Sequence, residues 1–209
     1  MKLKFVINKK QDKEMTIWMG HSKKHIPYIE NQYKTSLKFF KLSQKLYQKS
    51  WDEINNSFSK YIEKETGYPW HYKEYKCVIS PLNKGVARWN PKIISRHWNE
   101  NPYFMRRITA HEIILTHYAD IIKKHYSHEN LKEGQIWALS EIAAWALASL
   151  TPEVKKWWPW NTEYYTNHNY QHIVKLQLKL KEPFLKRKNF DEYIKKGIKL
   201  VKKYPNVRP

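Results

Sequence analysis

"TAHEIILTHYADII", residues 109–122, is the stretch on which the reading of this chain turns. Apolar residues recur through it at helical spacing, and His111 is followed at once by Glu112. Two histidines four apart on a helix, with a glutamate after the first, put two imidazoles on one face beside a carboxylate. Here the fourth place holds Leu115, and the second histidine comes two places later, at His117. An α-helix turns about 100° per residue, so positions four apart share a face and positions six apart do not. Three arrangements answer the mismatch. A π-type bulge would bring His117 alongside His111. A helix ending near Thr116 would leave His117 on a loop. Or the second ligand comes from elsewhere, and Leu115 marks a vacated place. The pattern continues through Tyr118, Ile121 and Ile122, which speaks against an early end.

Upstream, "YKEYKCVIS" alternates polar and apolar residues and predicts a strand. Pro81 and Gly85 punctuate a turn, and "VARW" and "KIISRHW" read as further extended pieces. Downstream, "NLKEGQIWALSEIAAWALASL" predicts a helix buried on most sides, nearly uncharged beyond Glu141. A carboxylate in that setting calls for compensation, by a metal ion or by a buried Lys, Arg or His. Nearer the N-terminus "KLKFVI" reads as a strand. Leu37, Phe40, Leu46, Tyr47, Trp51, Ile54, Phe58 and Ile62 then predict a long helical stretch over residues 28–65, stopped by Gly67 and Pro69. After the helix over 103–125 and the alanine-rich helix, "TPE" signals a helix start and "KKWWPWN" an aromatic break. Helices are expected over 167–181 and 190–204. The class predicted is α+β, mostly helical, as a single domain over 1–209 with a C-terminal helical extension at 151–209.

With strands, then His111 and Glu112 on a helix, then Glu141 on a buried helix, residues 75–150 resemble the zincin metallopeptidases, in particular the gluzincin branch. The resemblance implies a small sheet beside an active-site helix, followed by a glutamate-bearing helix. It implies Zn2+ held by His111, His117 and Glu141, with Glu112 as general base and a peptide or protein as substrate. Three protein ligands leave one zinc position for water, whose pKa the metal lowers. The departure is the second histidine, which gives His-Glu-x4-His in place of the family's tighter spacing. Other histidines offer ligands: His168 and His172 in "HNYQH", His21 and His25 in "HSKKH", and His125 and His128. Their ordinary reading is surface or aromatic packing. Arg106 and Arg107 would pair with Glu112 or Glu141, bind a substrate carboxylate, or simply be solvated. "WWPW", residues 157–160, is a groove lining or an interior plug. Tyr118, in phase with His111, is an oxyanion donor or a core residue.

Thirty-nine Lys plus Arg against nineteen Asp plus Glu give a net charge of +20. Such a balance suits an anionic partner, and a basic nucleic-acid-binding protein is the alternative to a hydrolase. Only six of the cations are arginines, however, and lysines spread along the chain suit solvated helix faces better than phosphate clamps. A zincin relative that has lost catalysis and serves as a binding scaffold is a further alternative. One cysteine, Cys77, excludes an internal disulfide and suits a reducing cytoplasm. The N-terminus lacks a signal-peptide core, and no apolar run reaches eighteen residues, so no membrane span is expected.

Overall fold

The computed structural model describes residues 1–89, 92–160 and 171–207, and all side chains among them except those of 171 and 172. It confirms a mostly helical α+β chain with one four-stranded sheet. The strands are β1 (Lys2–Val6), β2 (Glu74–Ser80), β3 (Val86–Trp89) and β4 (Lys92–His97). The helices are α1 (Lys9–Trp18), α2 (His25–Thr35), α3 (Leu37–Asp52), α4 (Asn55–Thr66), α5 (Phe104–His125), α6 (Glu133–Ser149), α7 (Gln171–Leu185) and α8 (Phe190–Val201). Two compact units share them. The first comprises residues 1–58 and 72–113, the second 59–71 and 114–209.

The first unit holds the sheet, in the order β1-β2-β4-β3. β1, β2 and β4 run parallel, and β3 pairs antiparallel with β4 at the edge. Side chains alternate between faces. On one face Val78 and Ile93 pack with Met15 of α1. The other face carries Leu3, Phe5, Cys77 and Ile94, and Phe5 meets Tyr47 of α3 edge to face at 5.7 Å. The free edge of β1 is dressed by amide side chains. Gln48 accepts from the Phe5 N–H at 2.9 Å and donates to the Leu3 carbonyl at 3.0 Å; Gln44 donates to the Phe5 carbonyl at 2.7 Å. An open strand edge is a template for unwanted pairing, and these contacts close it.

The helical stretch expected over residues 28–65 is three helices. Ser36 takes a non-helical conformation between α2 and α3, and the α3–α4 junction turns at Glu53 and Ile54. α1 was not foreseen. Its start is signalled by Asn8, whose side chain accepts from the Gln11 N–H. Its buried face of Asp12, Met15 and Thr16 includes an acid, which conceals the amphipathic pattern.

The second unit is built on α6, which is buried along nearly its whole length as its sequence predicts. α7 and α8 pack on it and on each other. Gly197 of α8 lets that helix close on α6: an added Cβ would stand 3.1 Å from Leu139 Cδ2. Tyr61 of α4 donates to the Leu147 carbonyl at 2.6 Å. "TPE" opens only a short 3-10 turn, Pro152–Lys156. Trp158 of the aromatic break is fully buried and donates to the Ala148 carbonyl at 2.8 Å, so it is a plug, while Trp160 is exposed.

Candidate functional site

α5 is α-helical from Phe104 to His125 with no π segment. The bulge that would bring His117 alongside His111 is therefore not formed, and a regular helix turns the two about 120° apart. Leu115, in the place of the expected histidine, is buried. The helix also does not end at Thr116, so neither arrangement that would change where His117 points relative to His111 is formed.

His111 and Glu112 lie in the first unit and are both buried, 6% and 7% exposed. Glu112 sits near the sheet face that carries Cys77. Burial pushes the Cys77 thiol far up, Arg96 pulls it back, and the carboxylates of Glu100 and Glu112 push it further. On the same face Arg96 is 1% exposed. Its Nη2 pairs with Glu100, whereas its Nε and Nη1 have no hydrogen-bond partner among the described residues. Glu100 is itself pushed up by burial, with Arg96 opposing. Gly85, with a positive φ of 147°, lies against that guanidinium, where a side chain would collide with Nη1. No local pattern signals this buried cation, because arginine on a strand ordinarily reads as solvated. Arg106 is likewise engaged within the first unit, with Glu53 and, at 2.7 Å, with Ser50 Oγ.

His117 and Glu141 lie in the second unit. His117 is 1% exposed, and its ring lies against Trp70 with centroids 4.5 Å apart. Glu141 is half-buried on α6 between two buried neighbours, Ser140 and Ile142. Tyr118 is a core residue: it meets Phe190 edge to face at 6.0 Å, and burial drives its hydroxyl well above the ordinary range. His21 and His25 form an aromatic pair at 5.5 Å, and His125 packs on Tyr68 at 4.8 Å. His168 lies outside the described residues, as does the side chain of His172. Among the described residues no group of three or more His, Cys, Asp and Glu side chains is placed to hold a metal ion. Nor is any described helix long and apolar enough to cross a membrane. Comparison of the chain with family models, with curated proteins and with solved structures gives no match.

Proposed function

We propose that this chain is a zinc-dependent peptide hydrolase related to the zincins, with His111 and Glu141 as metal ligands and Glu112 as general base. The observation that supports it most is the order of elements. An antiparallel edge strand β3 and its partner β4 are followed by α5 with a buried His111-Glu112 pair, then by the buried helix α6 with Glu141. That is the order the resemblance implies. His117 does not fit beside His111 on an unbroken helix, so the remaining ligand in this reading is another histidine, with His168 and His172 the candidates at helical spacing.

Zinc, when bound, supplies a Lewis acid that polarises a scissile carbonyl. Glu112 takes the proton of the attacking water and returns it to the leaving amine.

Metal analysis of the purified protein should find about one zinc per chain, the load of a single three-ligand site. His111→Ala should lose the metal, and His117→Gln should keep it. Glu112→Gln should keep the metal and lower peptide hydrolysis by about 10²- to 10⁴-fold, the usual contribution of a general base. Protein prepared without chelators that carries no transition metal would overturn this function.

A further inference from the structure

α3 exposes large apolar side chains that its own unit leaves uncovered. Phe39 is 43% exposed, Leu42 55% and Leu46 44%. Helical phase puts the three within about 60° of one another. One flank of this stripe is basic, with Lys38, Lys45 and Lys49 all exposed. The other flank is aromatic. There Ser43 and Ser50 of α3 donate to the carbonyls of Trp98 and Pro102, which fastens the segment before α5 along the helix. That segment leads into Tyr103 and Phe104, 51% and 57% exposed. The neighbouring carboxylates are engaged: Asp52 accepts from Gln48, Glu53 pairs with Arg106, and Glu100 pairs with Arg96.

We propose that this face docks the protein on an anionic phospholipid surface. Leucine and phenylalanine enter the boundary between headgroups and acyl chains. Aromatic rings settle at the headgroup level, and lysines reach lipid phosphates from alongside. The chemistry separates this occupant from the others. Nucleic acid gains nothing from exposed Leu42 and Leu46, and the face lacks the free arginines that clamp phosphates in pairs. A second copy is opposed by the +20 charge that each chain would bring. The attachment is peripheral and does not depend on the metal site.

The test is co-sedimentation of the intact chain with vesicles of phosphatidylcholine alone and of phosphatidylcholine mixed with phosphatidylserine. Binding is expected to the mixed vesicles only, and to weaken with salt. Leu42→Gln with Leu46→Gln should weaken it about tenfold, the worth of two half-buried leucines. Lys45→Gln with Lys49→Gln should weaken it about fivefold for each lysine removed. Both pairs change exposed positions, and unaltered circular dichroism checks that the fold is kept. Failure to sediment with phosphatidylserine vesicles overturns the proposal, as does binding indifferent to the leucine pair. It is also overturned if the variants lose affinity for duplex DNA while keeping it for vesicles.

Discussion

At the scale of the residue, Asp12 shows what the sequence conceals. It lies fully buried between α1 and the sheet, where Asn83 donates to it at 3.1 Å. Burial lifts its pKa from 3.8 to about 6, and the polar groups of Ser80, Asn83 and Tyr33 around it hold the rise back. The folded chain therefore grips this proton more tightly than the unfolded chain. The stability it lends is fully present below about pH 4 and is lost as pH rises through about 6. A shift of this size corresponds to about 3 kcal/mol. Asp12→Asn should flatten the dependence of unfolding free energy on pH across that window and raise stability at pH 7 by roughly 2 kcal/mol. Urea unfolding at several pH values measures this, and an unchanged slope would remove Asp12 as its source. Sequence placed His111, Glu112 and Glu141 on two helices because helical phase and apolar runs are local. It could not place Asp12 or Arg96, since their burial depends on strands and helices distant in the chain.

At the scale of the element, all four strands and the two central helices were legible. Their signals are strong: alternation in β2, a continuous apolar run in α6. The breaks at Ser36 and at Glu53–Ile54 were not, because no glycine or proline marks them and the apolar spacing continues across. The polar residues there, Thr35-Ser36 and Asn55-Asn56, were the available hint, since such side chains favour helix ends. The edge of β1 carries an element-level prediction. Gln48 satisfies one N–H and one carbonyl of that strand, so Gln48→Ala strips both. Loss of about 1–3 kcal/mol is expected from the unpaired backbone groups, together with a greater tendency to aggregate through the opened edge. Urea unfolding and light scattering read the two effects. A variant as stable and as soluble as the parent would mean that water replaces the glutamine at no cost.

At the scale of the whole molecule, the α+β class and the order of elements from β2 to α6 followed from the sequence, but the division into two units did not. Two of its three boundaries fall inside α4 and α5, continuous helices whose patterns carry no composition shift or linker; the third, after His71, lies in the connection to β2. Charge is the property of the whole chain that sequence states outright, and it bears on stability. Folding brings the cations of a +20 chain closer together, and their mutual repulsion opposes the compact state. Against it stand ion pairs that are largely solvated, such as Lys4–Glu74 and Lys186–Glu182, each of the kind that contributes little. Net repulsion acts at long range and is screened first. Raising chloride salt from about 0.01 to 0.15 M shortens the screening length from about 30 to about 8 Å. The repulsion across the chain is then cut while contacts at salt-bridge distance survive. The melting temperature should rise with salt, by about 2–4 °C for each kcal/mol of repulsion removed in a chain of this size. Calorimetry across that range measures the change. A melting temperature that falls instead would mean that the specific pairs, not the excess of lysine, dominate the electrostatics of the fold.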